Sequence, residues 1–461
     1  MNPARYPKPC VAAPLDPGFC PAVLENRRYQ QSLRTPTRVV IGLEREGGLL
    51  SRHETFVNRD IGTDTFENIE RVVKFLLWAR GGWRIHFGGP RALGEHIRGR
   101  YTNTGARAFD TELMSRVYER PFEVVLKKPD EIPIAREGAS AVGRHLDGCR
   151  IGFDLGASDY KVAAVKDGVV VYSDEFSWDP KNQADPGYHL TKLNEGIAQA
   201  ARYLPRVDAI GGSTAGVIVD NQIRVASLFR SVPVERVDEA KNIFRRLQQH
   251  WGVPVEVAND GDVTALAGAL SLGANGVLGI AMGSSQAAGY LDPRGRMTGW
   301  LSELAFAPVD YNPQAATDEW SGDRGVGALY FSQQAVDKLL PAAGVELPND
   351  LGQPEQLTEV QALLAMGDQR AAAIYQTIGV YLGYAIAQYA DFYEFEHVLV
   401  LGRVMTGDGG SLLLAKAAEV LRQEFPGLAD RVRLHVPDEK SRRVGQAVAA
   451  ASLPAVPGHE Q

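Results

Sequence analysis

Apolar and polar residues alternate through Ile151-Gly152-Phe153-Asp154-Leu155 and again over 160–165, with the small residues Gly156, Ala157 and Ser158 between them. A period of two predicts a strand, a tight turn and a returning strand. A third strand over 169–172 follows the Asp167-Gly168 turn. Upstream, the same pattern predicts strands over 39–43 and 49–57, joined at Gly47-Gly48. Phe66, Ile69, Val72, Val73, Leu76 and Leu77 then recur at helical spacing, a strand covers 83–87, and another helix starts near Arg91. Residues up to about Pro36 are polar and Pro-rich, and are expected to pack as an arm without regular structure.

Beyond the first hairpin, the pattern predicts a helix near 190–204, a small-residue turn over 211–216 and a second hairpin, 217–219 with 223–226. A helix over 237–251 leads to a strand over 255–258 that stops at Asn259-Asp260, and a helix follows over 263–272. The strand over 277–282 runs into Gly283-Ser284-Ser285. A long apolar-striped helix over 370–392 feeds a strand over 397–401 and then Gly402-Arg403. A small-residue helix over 444–451, able to pack closely on a sheet, closes the pattern.

The order of elements after residue 37 resembles the order after 151, so the first α/β unit reads either as a degenerate half-repeat or as an unrelated small domain. The polar stretch 127–144, with Pro129, Pro133 and Gly138, marks the boundary. The expected division is an arm over 1–36, an extra α/β domain over 37–145, a small lobe over 146–262 joined by a C-terminal helix over 438–454, and a large lobe over 263–437.

A chain of 461 residues is too long for one ordinary core, and 44% hydrophobic with 23% charged residues is a globular composition. A net charge of −7 leaves no excess of Lys and Arg to neutralise phosphates, which argues against nucleic acid as a partner. Only Cys10, Cys20 and Cys149 are present, without a CxxC pair, which fits a reducing compartment. No apolar run reaches membrane-span length and the N-terminus lacks a signal-type apolar stretch, so a cytoplasmic protein with no membrane partner is expected.

The candidate chemistry sits at the turns. An acid ending a buried strand is costly unless a cation or a ring of donors meets it, which makes Asp154 either a holder of Mg²⁺ or an ordinary turn aspartate. Gly156 and Ser158 beside it let a backbone approach phosphate oxygens. Asn259-Asp260, where a strand opens onto a helix, suits a general base and its orienting neighbour, or a helix cap. Gly283, Ser284 and Ser285 form a possible phosphate cradle of N–H groups and hydroxyls. Glu303, in an apolar context, needs a partner, whether sugar hydroxyls or a cation. The turn at Gly402 between strand and helix suits an adenine or ribose.

Taken in order, the Asp154 turn, Asn259-Asp260, the Gly283 turn and the Gly402 turn resemble the actin, hexokinase and Hsp70 superfamily, and within it the ROK family of bacterial sugar kinases and regulators. The resemblance covers about 151–454. It implies an α/β fold with a duplicated ribonuclease-H-like core plus the small N-terminal α/β domain, and transfer of the ATP γ-phosphoryl group to a hydroxyl of a hexose or related sugar. Carried onto this sequence, it implies Asp154 at the Mg²⁺ and phosphates. Gly156, Ser158, Gly283, Ser284, Ser285, Gly402 and Arg403 would hold ATP, with Asn259, Glu303, Ser213 and Thr214 on the carbohydrate. Asp260 would be the general base. The family also implies a homo-oligomer, with a homodimer the expectation.

Several positions depart from the family pattern. Phe306 stands where a histidine is usual, and Glu319, Ser321 and Val326 stand where zinc-binding cysteines would be, so no structural zinc is expected. Asp159 replaces a common lysine in the first turn, Ser285 a glycine in the second and Arg403 a glycine in the third. These changes motivate a competing expectation of a sugar-binding sensor or scaffold without turnover. A ROK transcriptional regulator is a further alternative, against which residues 37–125 read as strands and helices without a basic recognition helix.

Overall fold

The computed structural model describes residues 7–138, 143–437 and 439–456. By contact the chain forms two compact units. The first comprises Met1–Gly138, Ala281–Ala287 and Gly299–Val436; the second comprises Ala139–Ile280, Ala288–Thr298 and Pro437–Gln461.

The Pro-rich arm is not devoid of regular structure, because Ala22–Gln31 is a helix, α1, that buries Ala22, Val23 and Tyr29 at helical spacing. Ahead of it the chain is pinned rather than loose: the Leu15 N–H donates to Thr377 Oγ1 at 3.2 Å, and Tyr381 donates to Asp16 at 2.6 Å. Phe19 packs edge-on against Tyr381 with centroids 4.6 Å apart.

Strands β1 (Pro36–Glu44) and β2 (Leu50–Asn58) form an antiparallel hairpin, followed by helix α2 (Thr63–Arg80) and β3 (Arg84–Gly88). Helices α3 (Arg91–Arg100) and α4 (Ala108–Tyr118) precede β4 (Glu123–Lys127). The four strands make one sheet in the order β2-β1-β3-β4, with β3 antiparallel to β1 and parallel to β4. Helix α2 is buried along most of its length, including Phe75, Leu77, Trp78 and Lys74.

The second unit is built on β5 (Cys149–Leu155), β6 (Asp159–Lys166) and β7 (Val169–Ser177), a meander of antiparallel neighbours. Helix α5 (Pro186–Ala201) returns the chain to β8 (Ala209–Thr214). The predicted turn over 211–216 is therefore mostly strand, and only Ala215 and Gly216 turn. The hairpin β9 (Val217–Val219) and β10 (Gln222–Val225) follows. The helix expected over 237–251 is two helices, α6 (Val237–Lys241) and α7 (Ile243–Trp251), parted at Asn242. Strand β11 (Val255–Asn259) and helix α8 (Asp260–Leu272) complete the segment.

These strands form one sheet in the order β11-β8-β5-β6-β7, with β5, β8 and β11 parallel and β6 antiparallel to β5. That is ribonuclease-H-like strand order. The third strand of the first sheet runs antiparallel to its first strand, whereas β8 runs parallel to β5, so the two sheets differ in topology where their element order is alike.

The unit boundary runs through β12 (Val277–Met282) and β13 (Gln286–Leu291). Beyond them lie α9 (Gln333–Ala343), α10 (Gln353–Ala365), α11 (Gln369–Ala390), β14 (His397–Leu401), α12 (Asp408–Glu424), α13 (Pro426–Ala429) and β15 (Arg433–His435). The order β13-β12-β14-β15 repeats four of the five ribonuclease-H-like positions. Helix α14 (Glu439–Ala451) belongs to the second unit and lies against β5 and β8 so closely that a Cβ on Gly152 or Gly211 would stand 1.7 Å from a helix carbonyl. Only glycine allows that approach.

Candidate active site

Parallel β5, β8 and β11 end side by side, which brings the side chains at their carboxyl ends to one edge of the second unit's sheet, where open α/β sheets hold ligands. Asp154 of β5 pairs in register with Ser213 of β8, and Thr214 of β8 pairs with Asn259 of β11. Ser213 and Thr214 are fully buried, whereas Asp154, Asn259 and Asp260 are half-buried.

Asn259 is the N-cap of α8. Its Oδ1 accepts from the Gly261 N–H at 2.7 Å and its Nδ2 donates to the Gly216 carbonyl at 2.7 Å, so this amide fixes both the start of the helix and the turn after β8. Asp260 is thereby set in the first turn, where its Oδ1 also accepts from Gly261 N–H at 3.0 Å. The helix begins three residues earlier than predicted. Gly261 is a point of close backbone approach, since a Cβ there would stand 2.1 Å from the Ala288 carbonyl oxygen.

At this edge burial outweighs the groups that favour ionisation. Burial pushes the Asp260 carboxyl up to about 6, with the neighbouring Asp154 charge adding to the rise and the Gly261 N–H only partly opposing it. Burial also raises Asp154, which the Ser213 hydroxyl and Lys161, its partner across the β5–β6 pair, ease back down. A third carboxylate, Asp262, is raised to about 7 by burial and by Asp260, against one hydrogen bond from the Tyr290 backbone. Asp262 was not singled out in the sequence. Its signal was the second acid of Asn259-Asp260-Gly261-Asp262, which by itself reads as an ordinary acidic first helical turn.

The first turn holds its shape through Gly156, whose N–H donates to the Asp159 carbonyl at 2.9 Å and whose carbonyl accepts from Trp178 Nε1 at 2.9 Å. Ser158 is exposed, and its hydroxyl donates to Asp159 at 2.9 Å.

The remaining predicted residues lie in the first unit. Gly283 N–H donates to the Ser285 carbonyl at 3.0 Å, which closes a tight turn and leaves Ser284 and Ser285 exposed. Gly402 has φ +103° and lies against β12, where a Cβ would stand 2.4 Å from the Met282 carbonyl oxygen. No other residue fits that position. Arg403 is exposed, and its carbonyl accepts from Gln361 Nε2 at 2.9 Å. Glu303 is half-buried and opens a 3₁₀ turn over Leu304–Phe306.

Among the described residues, no group of three or more His, Cys, Asp or Glu side chains is arranged to hold a metal ion. A Mg²⁺ at Asp154 would therefore rest on fewer than three such side chains, with water and phosphate oxygens supplying the rest of its shell, as is usual for that ion at nucleotide sites. The residues fit this: Asp154 is a desolvated carboxylate with a second acid beside it, a place that a cation relieves. In the stretch where the family pattern has cysteines, Ser321 instead donates its hydroxyl to Asp318 at 2.6 Å.

The topology and these turns define a duplicated ribonuclease-H-like fold of the actin and hexokinase type. Within that class the fold is that of the ROK family. A ROK family transcriptional regulator, homologous to the E. coli MLC protein, superposes with a TM-score of 0.55 at 21% identity, over 67% of this chain and 78% of that one. A ROK glucokinase from Streptomyces griseus, solved with glucose and AMPPNP, gives 0.51 at 19% identity over 66% and 98%. A ROK hexokinase from Thermus thermophilus gives 0.52 at 18% over 66% and 97%. No protein-family model and no curated protein matches the chain. Among the described residues, no helix is long and apolar enough to cross a membrane.

Proposed function

We propose that this chain is a ROK-family carbohydrate kinase that transfers the γ-phosphoryl group of ATP to a hydroxyl of a hexose or related sugar. The observation that carries this reading is Asp260: a half-buried carboxylate at the head of α8, raised to about 6 by burial and by the neighbouring Asp154 charge. A base of that kind serves a hydroxyl nucleophile, because it is ionised at neutral pH yet basic enough to take the proton as the oxygen attacks. In the step, the sugar O–H proton passes to Asp260, the oxygen bonds to the γ-phosphorus, and the bond to the bridging oxygen breaks to release ADP. Phosphoryl transfer demands placement and charge neutralisation more than covalent help.

Asp154 would hold Mg²⁺ through water and phosphate oxygens, and the ion would neutralise charge on the phosphates. The Gly156–Ser158 and Gly283–Ser285 turns and the turn at Gly402 and Arg403 would hold the nucleotide. Asn259, Ser213, Thr214 and Glu303 would hold the acceptor. The glucokinase and hexokinase that share the fold support the reaction class. The test is sugar-dependent ADP release across a panel of sugars, amino sugars and anhydrosugars, with Asp260→Asn as control. ADP release that is sugar-dependent and lost in the variant supports the reading, and a fully active variant refutes the base.

A second reading, a sugar-binding sensor or scaffold without turnover, is favoured by Asp159. Its carboxylate takes the Ser158 hydroxyl that a phosphate would otherwise use, and brings a negative charge to that turn. Calorimetry with ATP and Mg²⁺ separates the two readings, since the sensor predicts no heat of nucleotide binding.

A further inference from the structure

Helix α2 ends against the segment that carries Glu303. The last carbonyls of a helix have no partner within it, and here those of Trp78, Ala79 and Arg80 accept from the N–H groups of Glu303 at 3.0 Å, Ser302 at 3.0 Å and Leu301 at 3.3 Å. Three successive residues are thus tied to one helix terminus. Ser302 is held at φ +50°, a conformation that serine seldom adopts, so the segment has one shape while those bonds last. The Trp78 ring packs on Phe306 with centroids 4.6 Å apart, and Phe109 packs on the same ring pair.

One turn earlier, the same face of α2 anchors a buried ion cluster. Lys74 Nζ lies 3.0 Å from Asp110 and 3.1 Å from Asp323, and Trp78 Nε1 donates to the same Asp110 at 3.0 Å. Asp323 also meets Arg71 at 2.7 Å and Arg107 at 2.9 Å, and Arg107 pairs with Glu70. Three cations and three carboxylates balance, as a desolvated cluster requires. Asp323 lies on the strand-like return of the Glu303 segment: the Val309 N–H donates to the Gly325 carbonyl at 2.8 Å, and the Gly327 N–H to the Ala307 carbonyl at 3.0 Å. Helix α2 therefore grips both arms of one loop, one through backbone bonds and the other through charge.

We propose that α2, with the Lys74–Asp323–Arg107 cluster, is the positioning element for the acceptor sugar: it fixes the loop from which Glu303 reaches the substrate. The proposal rests on the kinase reading for the role of Glu303 and on the geometry above for the mechanical link. Asp323 is itself engaged by Arg71, Lys74 and Arg107. It acts through the loop.

The test is Asp323→Asn. The acceptor KM is expected to rise at least ~10-fold, while kcat and the KM for ATP stay within about threefold, because only placement of the sugar is loosened. Asp323→Glu restores most of the loss. In a Glu303→Gln background the same change adds no further rise in acceptor KM, since the two act on one interaction. Independently of turnover, hydrogen exchange of the 301–303 amides rises at least ~10-fold in Asp323→Asn. Unchanged exchange, or an acceptor KM effect that multiplies with that of Glu303→Gln, overturns the proposal. Should the wild type release no ADP with any sugar, the kinase reading fails and the exchange result still decides the mechanical link. Should Asp323→Asn not fold, Trp78→Phe, which keeps the ring on Phe306 but loses the bond to Asp110, carries the same readouts.

Discussion

Among the described residues, two clusters of three carboxylates are opposites in physical character. In the first unit Glu70, Asp110 and Asp323 sit among Arg71, Lys74 and Arg107, and the guanidinium and ammonium groups hold Glu70 and Asp323 below the ordinary carboxylate range despite burial. In the second unit Asp154, Asp260 and Asp262 crowd one sheet edge, and burial wins: all three rise. Burial is common to both; among the described residues they differ in how much cationic charge opposes it, three side chains in the first cluster against Lys161 at Asp154 in the second. A paired cluster is a joint. A cluster in which burial outweighs its partners is costly to keep, and it persists where a ligand, a cation or a transferred proton relieves it.

That contrast is most forcefully broken by exchanging one acid in each cluster. Asp260→Asn is expected to lower kcat by ~10³-fold or more, with sugar binding by calorimetry retained, because one positioned base is lost. Asp323→Asn is expected to cost about 3–5 kcal/mol of stability by denaturant titration, the usual consequence of leaving buried cations unpaired.

The pH dependence sharpens the comparison with opposite signs. Asp323 and Glu70 are lowered, so the stability they contribute is present above the unfolded carboxylate value near ~4 and is lost as pH falls below it. Asp260 and Asp262 are raised to about 6 and about 7, so the folded chain keeps protons that the unfolded chain releases, and their contribution declines as pH rises from ~4 through 7. Stability should therefore peak in mildly acid solution, and the falling limb above the peak should flatten in the double variant Asp260→Asn, Asp262→Asn. The rate profile follows the same group: kcat/KM should fall about tenfold per pH unit below about 6. The smallest effect is expected for Ser213→Ala, which removes a hydroxyl that favours ionised Asp154. It should weaken Mg²⁺-dependent nucleotide binding by a few-fold, at a stability cost of ~1 kcal/mol.

Much of the second unit was legible because its strands alternate cleanly and its turns carry Gly, Asp and Asn. The candidate positions Asp154, Asn259-Asp260 and Gly402 stood out as polar or glycine breaks at strand ends. Helices α1, α4, α9 and α10 were not legible. Helix α1 is mostly polar, with Glu25, Arg27, Arg28 and two glutamines around a narrow buried stripe, and α9 carries Pro341. The split at Asn242 was hidden because α7 continues the apolar face that a single helix would show. Least legible was the Asp323 cluster. Lys74 and Asp323 are separated by some two hundred and fifty residues, and each looks like an ordinary surface charge until the chain brings them together.

The central claim, that one acid cluster is a joint and the other a site kept at a cost, is tested most directly by denaturant unfolding of Asp260→Asn and Asp323→Asn beside the wild type at pH 7.5. Asp260→Asn should be more stable than the wild type, by ~1–2 kcal/mol since its carboxylate is part-solvated, while Asp323→Asn is less stable. If Asp260→Asn instead unfolds as readily as Asp323→Asn, the Asp260 carboxylate is holding the fold together and is not a base held in reserve.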